Sequence, residues 1–510
     1  MKKTFTQSMA WLHTWAGLIV GWLLFAIFAT GTLAVFDKEI DHWMRPEIPR
    51  VQLTPFEATQ RALGYLQSHH ADASSWNISL PTERNPGMQV SAGERRRGGG
   101  VQLDPATGEP IAVRDSVGGT FFFRFHFTLN LPRLWGIFTV GALGLMMLVA
   151  LVSGVVIHKK IFKEFFTFRP NKGQRSWLDF HNASAVLLLP FHLMITYTGL
   201  VIFMLIYVPA AVDTLFAGNN QAYFKAQQGG ARIEQPRNAL KQPAVLTDLQ
   251  PLLIQAEQRL GSLGGLSIQH PGTAAARVEI RPELGNRIAL SKGQAMVFDG
   301  VSGALLRDVP EMPASVLTQR VMVGLHFAQF GGYPMRWLYF ICALVSSAMI
   351  ASGLVLFCVK RQRKYAGMSS SAARWYRLAE VLNVAFVAGL LLACVGLFWA
   401  NRLLPAELAQ RGGWELRAFF GVWLLSALHA ALRPARRAWS EQLGATALLC
   451  MALPLLGPLT AVLPLDASRQ ALETTSLMLG LALAFAAWRS SRPQVQARAE
   501  KSRAAVLESE

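Results

Sequence analysis

The sequence predicts an α-helical integral membrane protein with about eight transmembrane helices, two small α+β domains outside the membrane, and an internal two-fold repeat in the first four helices. Of its 510 residues, 52% are hydrophobic and only 16% are charged, which is typical of a membrane protein. Eight apolar segments approach or exceed the roughly 20 residues that a helix needs to cross a bilayer. Two mixed segments between them show the alternation and the turn residues of strands.

The net charge of +18 comes largely from short basic segments beside the apolar ones, such as KRQRK at 360–364 and RPARR at 433–437. Such loops mark the cytoplasmic side, so we expect both termini in the cytoplasm, the α+β domains in the periplasm, and no nucleic-acid partner. The four cysteines lie in or beside apolar segments, so no disulfide framework is expected. The first span lacks an A-x-A-type cleavage site and is predicted to remain as an anchor.

These patterns predict a boundary for each span and each domain. The predicted segments are 1–36 (first span), 37–133 (first periplasmic domain), 134–158 (second span), 159–183 (cytoplasmic loop), 184–208 (third span), 209–334 (second periplasmic domain), 335–359 (fourth span) and 360–510 (a four-helix extension with a cytoplasmic tail).

Each external segment is predicted to begin with an amphipathic helix and to continue with strands. In the first segment the helix is PFEATQRALGYL, and the strands are WNISL, MQVSA and the hairpin VQLDPATGEPIAV. In the second segment the helix is LTDLQPLLIQAEQRLG, and the strands are RVEIRP, RIALS and the hairpin AMVFDGVSGALLRD.

The first 360 residues contain two copies of one unit, which is a helix, an external α+β segment, a His-Phe element and a second helix. The histidine-to-glycine spacing is the same in both first helices and differs by one residue between the two His-Phe elements. A repeat of this kind predicts a symmetric site. The matched positions are His13 and Gly31 with His181 and Gly199, and His126 and Gly154 with His326 and Gly353.

The four repeat-matched histidines are the candidate chemical site. A buried imidazole in a membrane helix is costly unless it binds or pairs with something. Neutral imidazole is a strong ligand for haem iron, and two histidines from facing helices can hold a b-type haem. We therefore predict that His13, His126, His181 and His326 bind haem iron.

Other readings of the histidines compete with haem binding. His158 and His429, at the membrane edge, would cap or anchor helix ends, and His192 would be a satisfied polar residue of the bundle. Zinc binding is disfavoured because the chain has no HExxH motif and no cysteine near these histidines. A proton relay is a third reading.

Two ligand pairings remain open from sequence. The first follows the repeat and joins His13 with His181 on the inside and His126 with His326 on the outside. It places the two sites at opposite membrane edges, about 30 Å apart.

The second pairing uses the third span alone. On one uninterrupted helix His181 and His192 would share a face, roughly 16 Å apart along the axis. Each would bind one haem. His13 or His158 would complete the inner site, and His126 or His326 would complete the outer site.

Basic residues near the outer histidines are candidates for holding haem propionates or steering an anionic substrate. Arg133 and Arg336 are equally well explained as anchors of helix ends at the interface. The four residues are Arg124, Arg133, Arg320 and Arg336.

The chain resembles the PepSY-associated transmembrane protein family, whose members are often labelled iron-regulated membrane proteins. The motifs that carry the resemblance lie in order within about residues 5–362, and the four extra helices depart from the minimal form. They are LHTWAGL…TG (12–31), VQLDPATGEPI (101–111), FHFTLNLP (125–132), SGVVIH (153–158), the stretch from Trp177 to Leu200, and LHFAQFGG (325–332).

The resemblance implies PepSY-like periplasmic domains and a place in the bacterial inner membrane, where the family includes haem b-containing ferric-siderophore reductases. It implies that His13, His126, His181 and His326 fall at the family's histidine positions. His158 falls in a recurring motif, but its counterpart in the second copy is Phe357.

The expected function is therefore that of an oxidoreductase that carries one or two haems b and reduces ferric siderophores in the periplasm. No nucleotide-binding motif is evident, so a cytoplasmic or membrane electron donor is expected. Periplasmic siderophore-handling proteins are candidate partners. The alternative is a non-redox protein, either a chelate permease or a membrane scaffold that regulates a peptidase.

Overall fold

The computed structural model shows a mostly helical, multi-pass membrane protein. The predicted cytoplasmic loop lies largely outside the described residues, and the basic tail after residue 492 lies wholly outside them. The structure describes residues 4–93, 100–158, 169–170, 172–219, 221–223, 239–285, 287–290, 294–309, 311–365, 370–460 and 466–492.

Within these residues, seven helices are long and apolar enough to cross a membrane, and one bent helix pair would make an eighth. This agrees with the predicted number. The helices of the repeat are α1 (Phe5–Ala34), α2 (Asp37–Met44), α3 (Pro55–His69), α4 (Thr120–Thr128), α5 (Arg133–Ile157), α6 (Gln174–Leu187), α7 (Leu189–Ile202), α8 (Met204–Tyr207), α9 (Ala210–Phe216), α10 (Gln250–Leu260), α11 (Ala314–Phe327) and α12 (Gly332–Tyr365). The helices of the extension are α13 (Ser371–Asn383), α14 (Leu390–Leu403), α15 (Arg411–Leu432), α16 (Ala435–Ala452), α17 (Leu456–Leu459) and α18 (Ala467–Ser491), with a π-helical segment at Val384–Gly389.

The repeat is visible in the packing of the helices. Helix α1 packs against α5 and α12, while its counterpart packs through α6 against α12 and through α7 against α5. A capping box of Thr4 and Gln7 begins α1, so the helix is fixed just before its apolar run. The helices of the two copies therefore pack against each other in one bundle and do not form separate halves.

The predicted third span is not one continuous helix. It breaks at Leu188 into α6 and α7, which meet at 65°. Pro190 lies in the first turn of α7, where a proline fits, but the ring cannot be accommodated by a helix that continues through from α6. His181 and His192 consequently lie on different helices, and the shared face expected from a straight helix does not exist.

The two external segments join in one antiparallel sheet. Their strands are β1 (Ser75–Ser79), β2 (Met88–Ala92), β3 (Val101–Leu103), β4 (Leu263–Gln269), β5 (Arg277–Pro282), β6 (Met296–Asp299) and β7 (Leu305–Arg307). In the described residues the order is β3-β2-β1-β4-β5-β6-β7, so the first strand of each copy pairs with that of the other. Leu66 of α3 and Leu253 of α10 share one core with Ile78 and Ile280 of the sheet. The sequence predicts two domains, whereas the structure forms one continuous sheet from both copies.

One predicted strand does not form. RIALS contributes no strand in its described part, residues 287–290, and Ser291 lies outside the described residues. The backbone of Leu290 donates instead to the carbonyl of Arg320 on α11. Gly324 of α11 allows the close approach, because a Cβ there would collide with the carbonyl of Ile288.

The C-terminal extension packs into the same apolar core as the repeat. Leu397 and Phe419 belong to one buried cluster with Leu18 and Phe25 of α1. We call the face that carries the sheet the sheet side. We call the opposite face the basic side, because α12, α15 and α18 end there in or beside basic segments.

Candidate functional site

Two histidines from different copies face each other near the basic side, and we call them the basic-side pair. His13 lies on α1 and His181 on α6, with ring centres 6.3 Å apart and ring planes 70° from parallel. Both rings are half-buried between helices.

The Nδ1 atoms of the basic-side pair have equivalent partners. Nδ1 of His13 lies 2.9 Å from the carbonyl oxygen of Ala150 and 3.3 Å from the hydroxyl of Ser153. Nδ1 of His181 lies 3.0 Å from the carbonyl oxygen of Met349 and 3.3 Å from the hydroxyl of Ser352. A carbonyl only accepts, so Nδ1 carries the proton in both rings and Nε2 keeps its lone pair. Both imidazoles are thereby prepared to bind a metal through Nε2.

A second pair, the sheet-side pair, is formed by His126 of α4 and His326 of α11. Their ring centres are 6.0 Å apart and their planes differ by 37°. Nδ1 of His126 donates to the carbonyl of Ile27 at 2.8 Å. Nδ1 of His326 lies 3.1 Å from the hydroxyl of Thr198, which donates its own proton to Met194 and so accepts from the imidazole. The same tautomer results, with Nε2 unprotonated.

Each of the four imidazoles lies against a glycine of a neighbouring helix. The glycines come from α1, α5, α7 and α12, and a larger residue would displace the ring. A Cβ built at Gly31 would lie 2.6 Å from Nδ1 of His126, at Gly154 3.2 Å from Cε1 of His13, at Gly199 2.9 Å from Cε1 of His326, and at Gly353 3.0 Å from Cε1 of His181.

The ring-centre spacing in both pairs matches that of two imidazoles that share one metal ion. A bond from a metal to an imidazole nitrogen is about 2.0 Å, and the nitrogen lies about 1 Å from its ring centre, so two ligating rings have centres roughly 6 Å apart. The observed values are 6.3 and 6.0 Å.

The donor set of each pair, two imidazoles, suits haem better than a metal held by protein ligands alone. A structural zinc site takes four ligands, and the described residues contain no group of three or more His, Cys, Asp or Glu that could hold a metal ion. A porphyrin brings four nitrogens of its own and needs only axial ligands. The residues present therefore fit bis-histidine haem at each pair.

The two pairs are separated along α1. His13 belongs to the basic-side pair, and Ile27 and Gly31 contact the sheet-side pair. At 1.5 Å per residue, the 14 to 18 intervening residues span roughly 21–27 Å. The pairs thus lie toward opposite ends of the helix bundle.

The histidines proposed for the second pairing occupy other positions. His192 is fully buried on α7, and its Nε2 lies 2.9 Å from the hydroxyl of Ser346. His158 is half-buried at the C-terminal end of α5, where its backbone N–H donates to Gly154 and Val155. Of the two pairings, the structure shows the one that follows the repeat, and ligation itself stays a prediction.

The candidate arginines do not share the faces of the histidines. Arg124 is exposed and lies about 200° around α4 from His126, and Arg320 lies about 240° around α11 from His326. Arg133 is exposed at the start of α5, and Arg336 is buried with its guanidinium donating to the carbonyl of Gln329. A role in holding propionates stays a prediction for Arg124 and Arg320.

A charged cluster ties the sheet to the end of α1. Arg84 donates to both carboxylate oxygens of Glu39 at 2.8 Å, and its guanidinium also reaches the carbonyl of Val35 and the side chain of Asp37. Burial alone would raise the pKa of Glu39, but the hydrogen bonds and the charge of Arg84 outweigh it and hold that pKa below its usual value. Glu39 is therefore ionised at neutral pH and fixes the sheet to the membrane helices.

Sequence reasoning identified the four histidines but assigned no role to the residues that support them. In the sequence repeat, Gly31, Gly154, Gly199 and Gly353 serve only as alignment points. The signal that could have found their role is that each glycine recurs with the histidines at matched spacing, and adjacent Ser153, Ser352 and Thr198 are the residues that contact Nδ1.

The fold defines a multi-pass membrane protein with a repeated, histidine-bearing unit and an antiparallel sheet on one side. Residues 10–360, more than two thirds of the chain, match the PepSY-associated TM region family, and the chain belongs to that family. It is also 26% identical over 356 residues to a Pseudomonas aeruginosa protein named "Uncharacterized protein PA4219", covering 64% of this chain and 86% of that protein. Neither comparison names a cofactor, a substrate or a reaction.

Proposed function

We propose that this protein is a haem b-containing oxidoreductase of the bacterial inner membrane that passes electrons from the cytoplasmic to the periplasmic side. There it reduces the ferric iron of a siderophore and releases Fe(II) for uptake. The observation that carries this proposal is the presence of two imidazole pairs toward opposite ends of α1, each spaced for one iron with both Nε2 atoms unprotonated.

The residues of the chain have separate tasks in this function. His13 and His181 would hold one haem, and His126 and His326 the other. When bound, haem supplies a one-electron Fe(III)/Fe(II) couple. The carbonyls of Ala150, Met349 and Ile27 and the hydroxyl of Thr198 fix the tautomers and orient the rings. The apolar helices around both pairs would limit the access of water to the sites.

The sheet side is assigned to the periplasm because the opposite face carries the basic segments. A ferric siderophore would meet the protein there, near the sheet-side pair. Siderophores generally hold hard Fe(III) far better than Fe(II), so transfer of one electron loosens the chelate. The exposed Arg124 on α4 would attract an anionic chelate to this end.

The test is the visible spectrum of the full-length protein in detergent, oxidised and after dithionite, with a pyridine haemochrome assay for haem per chain. We expect low-spin b haem at two per chain, and reoxidation of the reduced protein by ferric aerobactin, an anionic ferric siderophore. One haem per chain would restrict the proposal to one pair. A colourless protein, expressed with haem supplied, would overturn it and favour the non-redox permease or scaffold.

A further inference from the structure

An ion pair caps the helix that carries one ring of the basic-side pair. Arg169, in the described part of the loop before α6, donates to the carboxylate of Asp179 on that helix. Its Nε and its backbone N–H reach Oδ2 at 2.9 and 3.1 Å, and its Nη2 reaches Oδ1 at 3.1 Å. A two-pronged contact between a guanidinium and a carboxylate is strong and geometrically specific. Asp179 is therefore held in one position.

The backbone of the loop is fixed to α6 as well. The hydroxyl of Ser176, in the first turn of α6, donates to the carbonyl of Arg169 at 2.6 Å and accepts from the backbone N–H of Lys172 at 2.8 Å. Arg169 is thus bound to α6 through its N–H, its carbonyl and its side chain. The cap joins the end of the loop to the helix of His181 as one unit.

Asp179 brings a buried charge close to the basic-side pair. It is 8% exposed and lies two residues before His181, so the two Cα atoms are roughly 5.4 Å apart on the helix. Among the described residues, every other buried Asp, Glu, Lys or Arg side chain lies toward the sheet side. These are Glu39, Arg336, Arg402, Arg411, Glu415, Arg469 and Glu473.

Arg169 offsets the charge of Asp179 only in part. The side chain of Arg169 is 32% exposed, whereas that of Asp179 is 8% exposed. Solvent therefore screens the guanidinium more strongly than it screens the buried carboxylate. The ion pair leaves a net negative potential at the rings of the basic-side pair.

The sheet-side pair has a charge of the opposite sign at the matched position. The repeat aligns Asp179 with Trp11, so the first copy adds no charge to the basic-side pair there. Two residues before the sheet-side histidines the chain has Arg124 and Gly324, which bring one cation and no anion. A nearby negative charge stabilises ferric over ferrous iron, and a positive charge does the reverse. The two ends of the bundle are thus charged for electron flow from the basic side to the sheet side.

We propose that the Arg169–Asp179 pair holds the reduction potential of a haem at the basic-side pair below that of a haem at the sheet-side pair. This difference gives electron transfer its direction toward the sheet side. The inference rests on the proposed function, because it concerns haem at both pairs. Each transfer moves one electron, which oxidises the first iron and reduces the second, and no bond is made or broken. Arg169 acts through Asp179 and is a positioning residue.

A purely structural cap would explain the same contacts, and the sign of the effect separates the two roles. Asp179→Asn removes the anion and leaves the cation, so the potential of the basic-side haem rises. Arg169→Gln removes the cation and leaves the carboxylate, so the potential falls. Loss of a merely structural cap would disturb His181 in the same way in both variants and would shift the potential in one direction.

The test is spectroelectrochemical titration of the full-length protein in nanodiscs, followed at the α band of haem. The variants are made in the His326→Ala protein, which is expected to keep only the basic-side haem. We expect Asp179→Asn and Arg169→Gln to change the ratio of ferric to ferrous haem at a fixed potential by about threefold or more, in opposite directions, which is about 28 mV for one electron. The double variant should return toward the parent value.

Lys172→Gln is the matched control, because it removes an exposed cation beside the same cap. We expect it to change the ratio by less than about twofold, since solvent screens an exposed charge. If the His326→Ala protein retains no haem, the same variants are titrated in the parent, where the lower-potential step should move and the higher one should not.

Shifts of the same sign in both variants, or no shift in either, would overturn the inference. If Asp179→Asn is not recovered as a folded protein, Arg169→Gln decides alone, and an unchanged or raised potential overturns the inference. Failure of the proposed function gives a different result, because a parent protein without haem overturns that function and this inference together. A protein that keeps its haem content and shows unshifted potentials loses only the inference.

Discussion

The basic-side and sheet-side pairs are built from equivalent residues but are held in different ways. Both rings of the basic-side pair lie on helices of the bundle, α1 and α6, and each has a carbonyl and a serine as partners. The rings of the sheet-side pair lie on α4 and α11, which lead out of the sheet domain, and they have one carbonyl and one threonine hydroxyl as partners. The basic-side geometry is therefore set inside the bundle, while the sheet-side geometry depends on what holds α4 and α11.

Helix α4 is held by the C-terminal extension. Phe121 and Phe122 of α4 pack on Phe419 and Phe398 of the extension, with ring centres 4.8 and 5.9 Å apart. Just before α4, the backbone of Val117 donates to Glu415 at 2.9 Å. The extension thus contacts α4 directly and supports one ring of the sheet-side pair, which gives the four extra helices a structural role.

The largest expected effect separates the two pairs directly. We expect His181→Ala and His326→Ala each to lower haem content from two per chain to one, because each removes one axial ligand of a different pair. The measurement is the pyridine haemochrome of the purified variants. His158→Ala is the matched control at the membrane edge and should retain both haems. Full haem content in either pair variant would remove that histidine from the ligands.

The second effect tests whether the extension supports the sheet-side pair. Arg411 and Glu415 are fully buried and joined at 2.5 Å, so Glu415→Gln leaves a buried guanidinium without its counter-charge. Breaking such a pair costs about 3–5 kcal/mol. We expect a lower melting temperature in detergent and partial loss of haem from the sheet-side pair only.

Asp308→Asn is the control, because Asp308 pairs with Arg259 at an exposed position and its removal should change little. Equal haem loss at both pairs in Glu415→Gln would show that the extension stabilises the whole bundle and not α4 in particular.

A smaller effect compares how tightly the two pairs are packed. A Cβ at Gly31 would lie 2.6 Å from His126, whereas one at Gly154 would lie 3.2 Å from His13. We expect Gly31→Ala to displace its imidazole and weaken haem retention at the sheet-side pair, and Gly154→Ala to be tolerated better. Haem retention during dilution into apomyoglobin would measure both. Gly17→Ala, with open space around its Cβ, is the control. A larger loss in Gly154→Ala would reverse the comparison.

The smallest effect is a pH dependence confined to the sheet side. His42 of α2 is 2% exposed, and its Nε2 lies 2.6 Å from Asp466 at the start of α18. Burial lowers the pKa of His42 below its ordinary 6.5, and the hydrogen bond to Asp466 opposes this only in part. Below about pH 6.5, His42 binds a proton in the unfolded chain but not in the folded chain. The free energy of unfolding therefore falls as the pH decreases through about 6.5.

Asp466 does not add to this change at mild pH. Burial would raise its pKa, but the interactions with His42 and Arg469 together outweigh burial and hold that pKa below its usual value, so its contribution is lost only in stronger acid. We expect the melting temperature to fall between about pH 7.5 and about pH 5.5, and His42→Gln to show a flatter profile. Identical slopes in both proteins would assign the pH dependence elsewhere.

Local patterns were enough for the class of the protein and for the candidate residues. The length and apolarity of a span are properties of consecutive residues, so hydropathy predicts the number of membrane helices. Amphipathic helices such as α3 and α10 and strands such as β1 and β5 are equally local, although β4 was not predicted. The repeat singled out His13, His126, His181 and His326 because spacing is visible along one chain.

The pairing of those histidines was decided by the tertiary structure. The choice turned on the break at Leu188, which separates His192 from the face of His181, and on helices that bring His13 within 6.3 Å of a ring 168 residues later. The joined sheet also depends on distant contacts, since β1 pairs with a strand nearly two hundred residues away. Sequence spacing alone carries no signal for such contacts, because they are selected by packing and by the satisfaction of buried polar groups over the whole chain. The buried Arg411–Glu415 pair and the unsatisfied amide of Gln442 could not be predicted for the same reason. These side chains become buried only when the helices of the extension pack together.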